Sequence, residues 1–380
     1  MYFRGDLIKT KAKEGKVSLQ GLAKQVGVSR QTVYQWTLGQ IPRGSHLFRL
    51  CTFLNLSPEA FFNEVIERPV TVPLHRTIKK KPVTREMKEA SQKLAEQYLQ
   101  LFRQESSAAV LPVIRMKERS KTNAALIANI LREKSGIAEG RPMDYESAFS
   151  LLSKLGIYAI FREFPKELSA SSYAFFSRIE KHRVVFINTE TNVLDLIFQL
   201  LHETVHAIRD EELSQVDSDE EETFCDLVAE MTQFPRLYVE MVACHIKGHI
   251  KQPGILISRL KEKSKEYSHS LWGITYRLQH MGIIDRSINV GGAATKLNKQ
   301  FPKMGDVVYM NQDPDAYIEM LNKLSPLFIK LVAAQLDSAS IRMFGEWLGL
   351  TTSMDAKQIV KGLKRYQDDV SKAEVSVHSM

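Results

Sequence analysis

Apolar residues between Val193 and Ile208 fall at 193, 194, 197, 200, 201, 205 and 208, the spacing of a helix with one buried face. The same period predicts helices over 123–135, 145–155, 221–233, 271–281, 315–335, 340–348 and 355–366, with Gly156 and Gly282 as stop signals. A more polar helical pattern covers 84–105. Two runs break the rhythm: Ile157-Tyr158-Ala159-Ile160-Phe161 and Val184-Val185-Phe186-Ile187 are β-branched and aromatic, the composition of strands. The order helix, helix, strand, strand, long helix, helix predicts an α+β domain with a small antiparallel sheet. Beyond Lys251 the pattern is helical, with Gly291-Gly292 expected as a turn.

The first sixty residues carry a different pattern, short amphipathic helices separated by tight turns. In Ser18-Leu19-Gln20-Gly21-Leu22-Ala23-Lys24-Gln25-Val26-Gly27-Val28-Ser29-Arg30-Gln31-Thr32-Val33-Tyr34-Gln35-Trp36, Ser18 and Ser29 are placed to cap two helices and Gly27 to take the left-handed turn between them. Leu22, Ala23, Val28 and Val33 would pack the pair, and Gly39, Pro42, Leu47, Leu50, Leu54 and Ser57 continue the pattern. This segment resembles the lambda-repressor and Cro type of helix-turn-helix domain. The resemblance implies that Arg30, Gln31, Thr32 and Gln35 lie on a recognition helix, with Gln31 and Gln35 toward base edges and Gln20 toward phosphate. Because one such domain reads few base pairs, a specific binder is expected to be a homodimer on double-stranded DNA.

Four regions follow: a helix-turn-helix domain over 1–68, all α; a linker and connecting helix over 69–112; an α+β zincin-like domain over 113–250; and a helical region over 251–380. The overall class is mainly α. The 69–112 boundary rests on Arg68-Pro69-Val70-Thr71-Val72-Pro73 and on Lys79-Lys80-Lys81-Pro82, which read as linker.

Charge sharpens this division. Residues 1–90 hold sixteen Lys or Arg against seven Asp or Glu, although the whole chain carries only +8. A basic N-terminal region suits a polyanionic partner. Only three cysteines occur, without paired spacing, which fits a reducing compartment. Met1 to Lys13 lack an apolar run, and the longest apolar stretches are broken by Asp195 and Lys330. A cytoplasmic protein without signal sequence or membrane span is therefore expected.

The strongest chemical signal is His202-Glu203-Thr204-Val205-His206. Residues four apart share a helix face, so both imidazoles can ligate one ion while Glu203 faces a bound water as general base. Zinc needs a third protein ligand and an open position. Glu222, sixteen residues after His206, is the candidate, with Glu221 the replacement, and Asp226 lies one turn on to accept from a ligating histidine. The second pair at this spacing, His245 and His249, lacks an intervening Glu and is expected to bind nothing. Cys225 is read as a buried small hydrophobe rather than a nucleophile.

Together with Val184-Val185-Phe186-Ile187-Asn188 and the run from Glu222 to Pro235, these residues resemble the ImmA/IrrE family of metallopeptidases over roughly 115–240, and Ser268 to Ile284 is similar to the segment that often follows. There are two departures from the family pattern: Val205 replaces a small residue, and Thr232-Gln233-Phe234 replaces an apolar run. The resemblance implies a zinc-dependent endopeptidase that cleaves a transcriptional repressor, in control of a mobile element or a stress response. Strand 184–187 would pair with the extended substrate, and Tyr173, Arg236 or Tyr238 would stabilise the oxyanion. The competing reading is a DNA-binding regulator whose zinc domain senses or stabilises without proteolysis.

Overall fold

The computed structural model describes the whole chain except residues 1, 4, 16, 39, 57, 64–68, 73–82, 106–117, 170–171, 210–217, 311–312, 351–355 and 379–380. Gly39, Ser57, the run Lys79-Lys80-Lys81-Pro82 and the start of the 113–250 region, all used above, lie outside the described residues. The chain divides into two compact units, Met1–Arg68 and Pro69–Met380.

The first unit holds β1 (Tyr2–Phe3), α1 (Gly5–Glu14), α2 (Leu19–Val26), α3 (Arg30–Thr37), α4 (Gly44–Leu54) and β2 (Phe62–Asn63). Its ends follow the expected capping chemistry. Ser18 Oγ accepts from Gly21 N at 3.1 Å, Gly27 sits at φ 79°, and Ser29 Oγ accepts from Thr32 N at 3.1 Å. Each such cap contributes about 1 kcal/mol. The core is Ile8, Leu22, Ala23, Val26, Val33, Trp36, Leu50, Cys51 and Phe61. Helix α1 approaches α3 so closely that a Cβ on Gly5 would clash with the Trp36 carbonyl oxygen. The expected all-α composition needs one correction, because β1 and β2 pair antiparallel, Tyr2 opposite Asn63.

The second unit begins with β3 (Val70–Thr71), α5 (Arg85–Glu96) and α6 (Leu99–Arg103), followed by α7 (Lys121–Ser135), α8 (Tyr145–Lys154), β4 (Tyr158–Arg162), α9 (Lys166–Ser169), β5 (Ala174–Ile179) and β6 (His182–Asn188). Then come α10 (Val193–Arg209), α11 (Ser218–Gln233), α12 (Arg236–Ile246), α13 (Pro253–Glu266), α14 (Leu271–His280) and α15 (Gly291–Asn298). The chain closes with α16 (Met304–Tyr309), α17 (Pro314–Leu324), α18 (Pro326–Ala333), α19 (Ile341–Leu348) and α20 (Ala356–His378).

The sheet is mixed rather than antiparallel, in the order β3-β5-β6-β4. Strands β5 and β6 form an antiparallel hairpin, Ala174 opposite Ile187, while β4 runs parallel to β6, Tyr158 opposite Val184. The parallel pair follows from α9 and β5 lying between β4 and β6 in the chain, a connection long enough to cross over. The stretch at 69–112 is not a free linker. Val70 and Thr71 pair with Ile179 and Arg178, and Tyr98, Leu101 and Phe102 are core residues. The region beyond 251 is likewise part of this core: Tyr98 Oη donates to the Trp347 carbonyl at 2.9 Å and Ser325 Oγ to the Ala159 carbonyl at 2.6 Å. Gly291-Gly292 is the first turn of α15, not a turn between elements, and the 315–335 helix breaks at Ser325-Pro326, where proline removes a donor.

Candidate metal centre and nucleic-acid interface

Helix α10 lies against β5, β6, α8 and α11, which explains why its middle is apolar on nearly every side: Leu200, Leu201, Val205, Ala207 and Ile208 are all buried. The exceptions are the polar residues of the cluster. His202 and Glu203 are buried with them, and Glu222 projects from the second turn of α11, also buried.

Their donor atoms converge. His202 Nε2 and His206 Nε2 are 3.0 Å apart, His206 Nε2 is 3.0 Å from Glu222 Oε1, and His202 Nε2 is 3.3 Å from Glu222 Oε2. All three side chains offer a ligand atom within 4.8 Å of the others. A tetrahedral zinc with bonds of about 2.0–2.1 Å separates its ligand atoms by roughly 3.3 Å, so two imidazoles and one carboxylate at these spacings fit the ion. Glu221, the alternative ligand, faces elsewhere. Its carboxylate takes Arg209 Nε at 2.6 Å and Arg119 Nε at 2.7 Å.

The surrounding groups orient the set. His202 Nδ1 lies 3.0 Å from Asp226 Oδ1, the carboxylate expected there. The other imidazole has different company: His206 Nδ1 is 3.7 Å from Cys225 Sγ, which stands 3.8 Å from Glu221 Oε1. Burial disfavours the imidazolium of His202, but the carboxylates of Asp226 and Glu222 outweigh it and raise its pKa to about 10. Burial likewise opposes the charge on Glu222, and the two histidines hold its carboxyl well below the usual range. Cys225 is fully buried, and burial pushes its thiol well above the ordinary value.

Glu203 is held at both oxygens. Phe176 N donates to Oε2 at 2.9 Å and Gln199 Nε2 to Oε1 at 2.5 Å. Burial nonetheless raises its pKa above the ordinary carboxylate value. Neither partner was identified in the sequence. Gln199 precedes Glu203 by four, a helical spacing that could have revealed it, whereas a backbone N–H of β5 leaves no sequence signal.

Three sequence expectations need correction. Strand β6 is interior, flanked by β5 and β4, so 184–187 offers no edge to a substrate. The strand facing Glu203 is β5. Tyr238 is buried with its hydroxyl 2.5 Å from His269 Nε2, and Arg236 is exposed and paired with Glu240, so neither is an oxyanion donor. Tyr173 is half-buried just before β5. His245 is 3.5 Å from Glu262 Oε2 and joins no metal-binding group among the described residues.

In the first unit, α3 buries Val33, Trp36 and Thr37 and presents its opposite face. Arg30, Gln31 and Gln35 are exposed, as is Gln20 on α2. Thr32 is half-buried, its hydroxyl 2.8 Å from Ser29 Oγ, and belongs to the cap as much as to the surface. Gln31 and Gln35 are four apart and therefore side by side on the helix.

Residues 8–61 match the helix-turn-helix family model, a span that runs from within α1 through α4. That match supports a DNA-binding regulatory domain at this end of the chain. No curated protein and no solved structure matched. No helix among the described residues is long and apolar enough to cross a membrane.

Proposed function

We propose that the chain is a DNA-binding regulator carrying a zinc-dependent endopeptidase centre, with a transcriptional repressor as its substrate. The observation that carries this reading is the convergence of His202, His206 and Glu222 on one point, with the Glu203 carboxylate buried on the same helix. A site serving only to stabilise the fold has no need of that carboxylate. His202, His206 and Glu222 would hold the zinc, which when bound polarises the scissile carbonyl and acidifies water.

The remaining roles fall to the chain itself. Glu203 takes the proton of the attacking water and passes it to the departing nitrogen, a task served by a carboxyl whose pKa burial has raised. Gln199 and the Phe176 N–H fix the direction of that carboxylate. Asp226 orients His202, and Cys225 stands beside His206. Gln31 and Gln35 would read base edges, with the first unit bringing the peptidase to its regulatory target.

Glu203→Gln tests this reading, because it preserves size while removing the base. Zinc content and DNA binding should stay as in the wild type, while cleavage of a co-expressed repressor falls by at least about 10²-fold. Repressor loss followed by immunoblot provides the readout. Equal persistence of the repressor with both proteins, with transcriptional control retained, would make the zinc site a sensor; equal loss with both would assign the cleavage to another protease.

A further inference from the structure

The α13–α14 pair repeats the turn of the first unit. Ser268 takes the left-handed conformation of Gly27, at φ 50°. His269 N donates to the Ser264 carbonyl at 3.1 Å as Val28 N donates to the Ala23 carbonyl at 3.0 Å. Ser270 caps α14 through Gly273 N as Ser29 caps α3. Ile274 and Val33, each four residues after its cap, are both fully buried. The difference lies two and six residues after the cap. There α3 displays Gln31 and Gln35, while α14 displays Trp272 and Tyr276.

These two rings stack, with centroids 5.0 Å apart and planes 11° apart, and Tyr276 in turn meets His280 at 3.9 Å. The stack is fixed from below, since His280 Nδ1 and Arg277 Nη1 reach the buried Glu230 at 3.1 and 3.0 Å. Trp272 is 56% exposed, whereas Trp36 and Trp347 are buried at 3% and 4%. Beside it lies a cleft of about 400 Å³ lined by Trp272, Tyr276, Gln279, Arg286, Ser287 and Asn289. Gln279 shapes its far wall by donating to the carbonyls of Asp285, Arg286 and Ile288 at 3.0–3.3 Å. Arg286 is exposed and has no ion pair among the described residues.

We infer that this cleft binds a nucleobase carrying a phosphate, stacked on Trp272 with the phosphate on Arg286. A displayed indole face accepts any flat π-system, a guanidinium with no carboxylate accepts an anion, and Asn289 Nδ2 and the Ser287 hydroxyl meet the heteroatoms of a base. The volume falls within the roughly 300–1,000 Å³ of small-molecule sites. Duplex reading is disfavoured, because Trp and Tyr at the displayed positions lack the paired donor and acceptor with which Gln31 and Gln35 meet base edges. The site would give the regulator an input separate from its metal centre.

Titration of the full-length protein with adenosine monophosphate, adenosine and a single-stranded oligo-dA hexamer tests the inference. Adenosine monophosphate should quench the exposed tryptophan saturably. Calorimetry should show Trp272→Ala weakening that binding about 5- to 100-fold, the effect of losing one base–aromatic stack. Arg286→Ala should weaken the monophosphate but not adenosine. Both residues are exposed, so unchanged melting curves serve as the folding control. Binding of the monophosphate, with or without the hexamer, supports a free nucleotide as the source; binding of the hexamer alone supports a single strand. The inference is overturned if neither the monophosphate nor the hexamer binds at millimolar concentration, if Trp272→Ala binds them as the wild type does, or if Trp272→Ala weakens duplex DNA alone.

Discussion

Helix α3 and helix α10 both carry candidate functional side chains one turn apart, yet they hold them in opposite ways. On α3 the displayed residues, Gln31 and Gln35, face solvent, and the helix is stabilised from its other side by Val33 and Trp36. On α10 the residues that matter are inside, and they are each other's partners: His202 and His206 meet Glu222, and Glu203 meets Gln199 and Phe176 N. Function and stability are therefore separable on α3 and coupled on α10. A buried ion pair that loses one partner leaves the other charge uncompensated, whereas an exposed amide loses only what it would have bound.

The largest effect expected from this contrast is at Glu222. In chelator-treated protein, Glu222→Gln should destabilise the second unit by about 3 kcal/mol, since the buried His202 imidazolium loses one of its two carboxylates. The midpoint of its urea transition checks this. A midpoint equal to the wild type would show that the cluster is not electrostatically coupled in the way its distances imply.

A smaller effect belongs to the same buried unit but away from the cluster. Burial lowers the His269 pKa to about 4, with Tyr238 hydrogen-bonded to its Nε2. The depressed value means that the unfolded chain binds a proton which the folded chain refuses between about pH 6.5 and 4. Stability from this residue is therefore full above pH 6.5 and declines as pH falls, by about 2 kcal/mol at pH 5. Thermal unfolding of wild type and His269→Gln at pH 7 and pH 5 should show the steeper loss in the wild type. Parallel loss in both would place the acid sensitivity elsewhere.

The smallest effect on stability is expected on α3. Gln31→Ala and Gln35→Ala should each change unfolding by less than about 0.5 kcal/mol. DNA affinity should nevertheless fall by about 1–3 kcal/mol at the cognate site for each lost bidentate base contact. Gel-shift titration with specific and scrambled duplexes separates the two. Equal weakening on both duplexes would mean that these residues position the helix rather than read sequence.

The two regions also differ in how much of them the sequence discloses. The helix-turn-helix is written in local code: Ser18, Gly27 and Ser29 act on backbone groups within a few residues. The candidate metal cluster is half local. His202 and His206 follow from a spacing of four on a strongly periodic helix, but the choice of Glu222 over Glu221 depends on Arg209 and Arg119, which engage only one of them. Strand β5 is not legible because Ser177 and Arg178 interrupt its apolar run, although its partner β6 follows after a two-residue turn and only β3 is distant in sequence. Val70 and Thr71 read as linker because Pro69 precedes them, although an edge strand tolerates a neighbouring proline. Gly291 and Gly292 have turn-forming propensity, yet α15 forms where Leu297 and Ala294 can be buried, and packing outweighs about 1 kcal/mol per glycine.

Metal content is the most direct test of the central claim, that His202, His206 and Glu222 form one metal centre. Atomic absorption on protein purified without added metal, compared with His206→Ala, should give one zinc per wild-type chain and little in the variant. His245→Ala, altering the other histidine pair, should retain the wild-type value. Absence of zinc from the wild type even after incubation with the ion, or undiminished zinc in His206→Ala, would contradict the account.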